Sequence, residues 1–221
     1  NKSSDNSLNI IKKFKNKKIK IFRNKTKNIF SLYKARNLAL KKTKGDLIAF
    51  LDTDDTWNKN KLSTQVKILQ KNPTASICYS NFSVFFQKKQ KKELRFKKKL
   101  PSGYILKNLL EDYCIGINTL LIKKEIFKNH KFNAKYNIIG DFELLTRLSF
   151  KFNIIASQNS LANYRVHENN FSRNIKIHID ELIDWKKKNK LKFSIKNLSF
   201  KSINIFIFKF WIKLIIFRLF V

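Results

Sequence analysis

Apolar and polar positions along the chain follow two periods, one typical of helices and one typical of strands. Residues 31–43 place apolar side chains every three or four positions, which predicts a helix that ends at Gly45. Residues 47–51 form a continuous apolar run of strand length, typical of a buried parallel strand. Similar patterns predict helices at 8–15, 58–71, 103–110, 139–152 and 175–190, and strands at 18–22, 75–86, 116–122 and 153–164. This alternation predicts an α/β fold with a mostly parallel sheet flanked by helices.

Composition shifts along the chain suggest how it is divided. Residues 87–99 are strongly charged and are predicted as a loop. We expect residues 1–175 to form one domain and 176–221 to form a helical tail, because no acid occurs from Trp185 onward and the end is densely apolar. The chain contains no Met, and its opening at Asn1 reads as a strand-to-helix turn. We therefore expect that a preceding strand is missing.

The chain of 221 residues carries 48 Lys and Arg against 15 Asp and Glu, a formal net charge of +33. Such a charge first suggests a nucleic-acid partner. However, AT-rich codon bias explains the abundance of Lys, Asn, Ile and Phe, and arginine is a small minority of the cations. We therefore expect attraction to an anionic membrane and no nucleic acid. Two cysteines are too few for a disulfide scaffold and match no zinc spacing, which agrees with a cytoplasmic protein.

Three carboxylates follow directly after the predicted strand at 47–51. Asp52, Asp54 and Asp55 fall within four residues in a chain that is poor in acids. Ligands of open α/β sheets bind beyond the carboxyl ends of the strands. Mg²⁺ and Mn²⁺ prefer oxygen ligands and commonly bridge to phosphates. The cluster therefore indicates a divalent cation site, or alternatively an acidic turn that caps the next helix.

Four landmarks in the right order resemble family two glycosyltransferases, which use nucleotide-sugar donors and have the GT-A (Rossmann-like) fold. The central signature is ARNLAL at 35–40, GDLIAFLDTDDTW at 45–57 and KL at 61–62. The opening SSDNS at 3–7 resembles the loop after the family's second strand, and DFEL at 141–144 resembles its acceptor-side helix. YRVHENN at 164–170 resembles a closing motif. The resemblance covers residues 1–175 and implies the GT-A fold for them.

The resemblance implies a donor site. Asp52 and Asp54 would form the D-x-D pair that holds Mn²⁺ or Mg²⁺ against the donor diphosphate, with Asp54 the more direct ligand. Arg36 would lie near the nucleotide or its phosphates. His167 would be a third metal ligand or a phosphate contact, unless it is an ordinary surface histidine. Arg165 would bind phosphate or pair with a carboxylate.

The resemblance also implies an acceptor site and a nucleotide-binding loop. Asp141 would be the general base that takes the proton of an acceptor hydroxyl. Asn1 stands where the family usually has an Asp that binds the base, and Asp5 follows in the same loop. The position before Asp141 is Gly140, where the family often has Glu. We expect the remaining histidines to be surface residues: His130 and His178.

Residues 203–221 combine many Phe and Ile with Lys209, Lys213 and Arg218. This composition favours an interfacial helix on an anionic leaflet. The alternatives are a C-terminal helix docked on the domain and a tilted span with snorkelling cations. The preferred interpretation predicts a cytoplasmic protein that is peripheral on the inner face of the membrane.

These observations together predict an inverting, metal-dependent glycosyltransferase of the hexosyltransferase type. It would transfer a sugar from a nucleotide-diphosphate donor to a hydroxyl of a glycan or lipid-linked acceptor, in the biosynthesis of surface polysaccharide. The rival hypotheses are a non-catalytic basic protein that binds nucleic acid or acidic glycan, and an inactive transferase fragment.

Overall fold

A computed structural model describes residues 6–14, 16–22 and 31–219, with side chains described as far as residue 216. The helices are α1 Ser7–Lys13, α2 Leu32–Lys42, α3 Lys61–Lys71, α4 Leu106–Glu111, α5 Ile126–Asn129, α6 Gly140–Leu148, α7 Ile175–Ile195 and α8 Lys201–Leu219. The strands are β1 Leu47–Ala49, β2 Thr56–Trp57, β3 Ala75–Phe86, β4 Lys91–Leu94, β5 Leu121–Lys123 and β6 Asn153–Val166. Short 3₁₀ turns occupy Gln87–Lys89, Ile117–Thr119 and Phe171–Arg173. The α/β class is confirmed.

The strands form one mixed sheet in the order β1-β5-β3-β6-β2, with β4 added to β3. The long strands β3 and β6 run parallel, whereas the other pairings among the described strands are antiparallel. The prediction of a mostly parallel sheet is therefore wrong for this part of the chain. β4 returns along β3 after a tight turn in which Gln90 has a left-handed backbone (φ 48°). A return of this kind can only pair antiparallel.

Two local predictions also differ from the structure. Residues 18–22, predicted as a strand, make no strand pairing within the described residues, and Ile19 and Phe22 are exposed. Residues 87–99, predicted as a loop, contain β4, whose side chains are exposed on both faces. An edge strand with both faces in water lacks the apolar alternation that identifies strands in sequences.

Two apolar clusters hold the helices against the sheet. The first packs sheet residues such as Ile48, Ile77 and Ile122 against α2, α4 and α6. The second joins α4 and α6 to α7 and α8, with the buried Trp185 in contact with Phe142 and Phe193. Helix α7 thus shares a core with α6. The boundary at residue 175 stays a prediction.

Helix α8 contacts this second cluster along one side only. Ile203 and Ile207 are buried there. Most large side chains farther along are exposed, with Phe208 at 64% and Ile215 at 53%. These contacts match the docked alternative for the first half of the helix. Over the described residues, no helix has the length and apolar character needed to cross a membrane.

Candidate active site

A cleft of about 890 Å³ opens beyond the end of β1 and collects most of the predicted site residues. Asp52, Asp54 and Asp55 lie in the turn after β1 and line the cleft. Arg36 reaches it from α2, and Asp141 reaches it from the first turn of α6. The fold therefore brings together side chains that are up to 105 positions apart in the sequence, four of them carboxylates.

Asp55 anchors the acidic turn to its surroundings. Its carboxylate is 8% exposed and accepts hydrogen bonds from the Asn118 amide (2.7 Å) and the Arg165 backbone N–H (3.0 Å). Burial raises the pKa of Asp55 to about 6, with smaller contributions from the charges of Asp54 and Asp52. The contacts place Asp55 behind the other two acids, as a support of the turn.

Three side chains that follow the acidic turn bind successive carbonyl groups of a neighbouring loop: Trp57, Lys61 and Gln65. The Trp57 indole donates to the Asn118 carbonyl (2.8 Å), and Gln65 donates to the Thr119 carbonyl (2.7 Å). The ammonium of Lys61, which has no exposed surface, donates to the carbonyl of the next residue along (3.2 Å). These bonds fix the loop from which the Asn118 side chain reaches Asp55.

Arg36 connects the acidic turn to α6. Its guanidinium donates to Asp52 Oδ1 at 2.6 Å and is 9% exposed. It also lies over the rings of Tyr33 (5.2 Å) and Phe132 (5.9 Å). Burial raises the pKa of Asp141, and the positive charge of Arg36 opposes that rise. Arg36 therefore acts electrostatically on both ends of the cleft.

Asp54 is contacted by the loop that follows β6. Its Oδ2 atom lies 3.0 Å from His167 Nε2 and 3.3 Å from Asn170 Nδ2. The Asn170 Oδ1 atom accepts the His167 backbone N–H at 2.6 Å, which fixes the orientation of that amide. The Asn170 amide nitrogen also lies 3.1 Å from His167 Nε2, so this ring nitrogen faces both a carboxylate oxygen and an amide donor.

The three other predicted donor-site residues are not brought into the cleft within the described residues. Arg165 does not line the cleft; its side chain lines a smaller cavity of about 150 Å³ together with Asp54 and Lys92. Its backbone groups instead hold Asp55 and Asn170. The remaining two, Asn1 and Asp5, lie outside the described residues.

The acidic turn can be tested for its fit to Mg²⁺ or Mn²⁺. In the described ranges, no group of three or more His, Cys, Asp or Glu side chains is arranged to hold a metal ion. Such ions are commonly held by only one or two carboxylates, with water and substrate phosphates as the other ligands. Asp52 and Asp54 both line the cleft, and among the described residues the side-chain hydrogen bonds occupy one oxygen of each. The donor set fits a divalent cation that is shared with a diphosphate.

The predicted base, Asp141, is held by its own helix and by α2. Its Oδ1 atom accepts the Phe142 backbone N–H (2.9 Å) and faces the Tyr33 hydroxyl (3.1 Å). The Tyr33 ring occupies the space beside Gly140, where a Cβ atom would lie 2.5 Å from two ring carbons. This contact gives the physical reason why Gly140 replaces the Glu that the resemblance led us to expect.

Glu181 is a site-building residue that the sequence did not indicate. Its carboxylate, on α7, accepts the backbone N–H groups of Asn137 (2.6 Å), Ile138 (2.9 Å) and Ile139 (3.1 Å). These groups precede α6, so a negative charge sits at the helix N-terminus just before Asp141. Asp180 and Asp184 lie close to Glu181 in the sequence, so no local pattern distinguished Glu181 from the other acids of the helix.

The prediction that His178 is a surface residue is wrong. Its ring contacts Phe206 and Phe210 of α8, and it lines the cleft. Its Nδ1 atom is buried and has no hydrogen-bond partner in the described part of the chain. Burial lowers the pKa of His178 to about 4. His130 is half-buried as well, and its ring contacts Phe152.

Known proteins of similar sequence include two described as glucosyltransferases. The chain is 31% identical over 130 residues to Escherichia coli WfgD, a UDP-Glc:alpha-D-GlcNAc-diphosphoundecaprenol beta-1,3-glucosyltransferase, covering 59% of this chain and 49% of WfgD. It is 30% identical over 177 residues to Escherichia coli WfaP, which has the same description, covering 78% of this chain and 65% of WfaP. The chain thus spans about half the length of WfgD.

Solved structures of similar architecture agree on the fold. The crystal structure of S. aureus TarS 1-349 in complex with UDP matches with a TM-score of 0.55 at 19% identity, covering 82% of this chain and 54% of that chain. The mannosyltransferase PcManGT from Pyrobaculum calidifontis, in complex with GDP-Man and Mn²⁺, matches with a TM-score of 0.50 at 15% identity, covering 76% and 45%. At these identities the likeness concerns the fold alone.

The sequence profile described as glycosyl transferase family 2 matches residues 1–145, which include the acidic turn, Arg36 and Asp141. That match confirms both the resemblance inferred from the sequence and the enzyme class. This chain belongs to glycosyl transferase family 2, and its fold is the GT-A fold.

Proposed function

We propose that the protein transfers a sugar from a nucleotide-diphosphate donor to an acceptor hydroxyl, with inversion at the anomeric carbon. One observation carries the proposal: a single cleft holds the acidic turn, with Asp52 and Asp54, and also holds Asp141 on a different helix. The turn would bind the diphosphate, and Asp141 would receive the acceptor. The rival hypothesis of a non-catalytic basic protein is not favoured, because the cleft is lined by carboxylates and the relatives named above are transferases.

Asp141 would act as the general base. Its Oδ1 atom accepts the Phe142 N–H, whereas within the described residues no such hydrogen bond is formed to Oδ2. Oδ2 would take the proton of the acceptor hydroxyl as that oxygen attacks the anomeric carbon from the face opposite the diphosphate. The bond between the anomeric carbon and the diphosphate oxygen breaks, and its electron pair leaves with the nucleotide. Attack from the opposite face gives inversion.

Asp54 and Asp52 would hold Mn²⁺ or Mg²⁺, and His167 would add a ligand or a phosphate contact. When bound, the cation would neutralise the negative charge that develops on the leaving diphosphate. Arg36 keeps Asp52 in place through its 2.6 Å contact, and Asn170 keeps Asp54 in place. The presence of Mn²⁺ with GDP-Man in a protein of the same fold supports this part of the proposal.

The names of the relatives suggest the substrates. WfgD and WfaP are described as transferring glucose from UDP-Glc to a diphosphoundecaprenol-linked sugar. Other relatives are described in amylovoran and teichuronic acid biosynthesis. We therefore propose a nucleotide-sugar donor and a glycan or lipid-linked acceptor in surface polysaccharide biosynthesis.

The role of Asp141 can be tested with Asp141→Asn in the full-length protein. The amide keeps the shape of the carboxylate but cannot take the proton, so transfer should fall by at least ~10²-fold with donor binding retained. Glu143→Gln is the matched control, because Glu143 lies two residues farther along the same helix and is paired with Arg147 at 2.8 Å. Normal transfer by Asp141→Asn would refute the assignment, as would equal losses in the two variants.

The metal assignment can be tested by nucleoside diphosphate binding. The full-length protein should bind the nucleotide more tightly with Mn²⁺ than with EDTA, and Asp54→Asn should abolish the difference. Asp180→Asn, at an exposed position on α7, is the control. Equal binding with Mn²⁺ and with EDTA in the unaltered protein would contradict a metal held by the acidic turn.

We also propose that the exposed side of α8 binds the inner face of the membrane. Phe208 (64% exposed) and Ile215 (53%) lie on a helix that also carries Lys209 and Lys213. Apolar burial would give attraction that survives salt, and the lysines would add a screened electrostatic contribution.

Point substitutions test this membrane proposal better than deletion of the helix, because Ile203 and Ile207 are part of the core. Phe208→Ser with Ile215→Ser should weaken binding to anionic vesicles while the fold is kept. Leu191→Ser, at a 75% exposed position on α7, is the control. If the unaltered protein does not sediment with anionic vesicles, this proposal is wrong.

A further inference from the structure

The hydroxyl of Tyr33 lies between two acceptors. It is 2.7 Å from the Ile138 carbonyl oxygen and 3.1 Å from Asp141 Oδ1. A tyrosine hydroxyl has one proton, so it can donate to only one of these oxygens at a time. The first acceptor is a neutral carbonyl, and the second is the carboxyl group proposed as the base. The direction of the Tyr33 proton therefore depends on the charge of Asp141.

The position of the Tyr33 ring is fixed from three sides. The residue is 2% exposed, its ring stacks on Phe132 at 5.4 Å, and Arg36 lies over it at 5.2 Å. The third side is closed by Gly140, where a Cβ atom would approach ring carbons to 2.5 Å. Gly140 thus gives the ring the room it needs to bring its hydroxyl to Asp141.

We propose that Tyr33 is a positioning residue for Asp141, whose hydroxyl donates to Oδ1 while Asp141 is charged and turns to the Ile138 carbonyl once Asp141 has taken the acceptor proton. This inference rests on the proposed role of Asp141 as the base. The acceptor proton moves to Asp141 Oδ2, and the Tyr33 proton only rotates about its own C–O bond. Burial raises the pKa of Tyr33 above its ordinary value, which keeps that proton on the tyrosine.

The groups around Asp141 show what Tyr33 would contribute. Burial disfavours the carboxylate, whereas Arg36, the Phe142 N–H and the Tyr33 hydroxyl favour it. The Tyr113 hydroxyl is also buried nearby, outside strict hydrogen-bond geometry, and burial and the Asp141 charge raise its pKa. Tyr33 is the uncharged donor that can release Asp141 Oδ1 without leaving its own proton unpaired, because Ile138 supplies the second acceptor.

The test is Tyr33→Phe in the full-length enzyme, which keeps the ring and its contact with Gly140. Loss of a donor to the carboxylate should move the acid limb of the kcat/KM profile upward by about one pH unit and lower kcat/KM roughly tenfold at a pH on that limb. The matched control is Tyr136→Phe. Tyr136 is also 2% exposed, and its hydroxyl donates to the Asp184 carboxylate at 2.9 Å, in a contact that lies outside the cleft. The control should leave the acid limb unchanged.

A second substitution should shift the acid limb of the kcat/KM profile in the opposite direction. Incorporation of 3-fluorotyrosine at position 33 keeps the shape and makes the hydroxyl a stronger donor, so the acid limb should move downward. An acid limb that stays in place in both variants would overturn the inference, as would an equal shift in Tyr136→Phe. Tyr33→Phe should also cause no additional loss in an Asp141→Asn background. Full activity of Asp141→Asn itself would instead refute the proposed base, which separates the two failures.

Discussion

Lys61 offers a direct test of the packing behind the acidic turn. Its side chain has no exposed surface, and its ammonium donates to Gln65 Oε1 (2.7 Å) and the Leu120 carbonyl (3.2 Å). The ammonium also lies 4.5 Å from the centre of the Trp57 ring. No carboxylate forms a salt bridge with it in the described part of the chain. Burial without a counter-charge lowers the pKa of Lys61 from 10.5 to about 8.

The sign of the pH effect follows from this depressed pKa. Between pH 8 and 10.5 the unfolded chain binds a proton that folded Lys61 has released, so the free energy of unfolding rises with pH. The rise should be about 1 kcal/mol between pH 8 and 9 and about 3 kcal/mol over the whole window. Buried Cys78 and Cys114 act in the opposite direction, increasingly as the pH approaches and passes 9.0, because burial raises the pKa of both thiols, that of Cys78 to about 11. The contribution of Lys61 is therefore offset less between pH 8 and 9 than at higher pH.

The measurement is urea unfolding at pH 7, 8 and 9. Lys61→Met keeps most of the side-chain volume and should remove the rise between pH 8 and 9, although it leaves two acceptors without their donor. Lys67→Met, at an exposed position on the same helix, should retain the rise. If the unaltered protein shows no rise in stability between pH 8 and 9, or if Lys61→Met shows the same rise, the reasoning about this buried lysine is wrong.

Three further substitutions test how the cleft is built. Gly140→Ala should destabilise the fold by about 1–3 kcal/mol despite the better helix propensity of Ala, because its Cβ would overlap the Tyr33 ring; Tyr33→Leu should relieve part of this loss in thermal unfolding. Glu181→Gln should cost about 1–3 kcal/mol in urea unfolding, because three backbone donors lose a charged acceptor. Asn118→Ala should cost about 1–2 kcal/mol and weaken nucleotide binding, because Asp55 loses its 2.7 Å donor. Unchanged unfolding midpoints in these variants would contradict the corresponding contacts.

The sequence predicted those parts of the site that depend on local patterns. The strand before Asp52 is a short apolar run, and the carboxylates follow it directly. The position of these carboxylates at the end of a sheet strand could therefore be inferred without knowledge of any contact between distant residues. The order of the motifs then indicated Arg36 and Asp141. The structure places all of these side chains in one cleft.

The supporting contacts could not be predicted in the same way, because they join distant parts of the chain. The Tyr33 hydroxyl meets a residue 108 positions away, and Glu181 meets backbone groups 42–44 positions back. Neither contact produces a periodic pattern in the amino-acid sequence. His178 was misread for the same reason: its burial depends on Phe206 and Phe210 of a later helix, whose docking no local pattern indicates.

The charge of the cleft differs from that of the whole protein, and the difference bears on the proposed chemistry. The chain has a net charge of +33, yet four carboxylates line the cleft against the guanidinium groups of Arg36 and Arg95. Arg36 is already paired with Asp52. A diphosphate that entered this cleft would face carboxylates, and like charges about 4 Å apart repel by roughly 4 kcal/mol at an effective dielectric constant of 20. The positive surface can raise the local concentration of an anionic donor, but it cannot neutralise the diphosphate at Asp54. This imbalance favours a divalent cation as a partner of the acidic turn, independently of the motif that first suggested one.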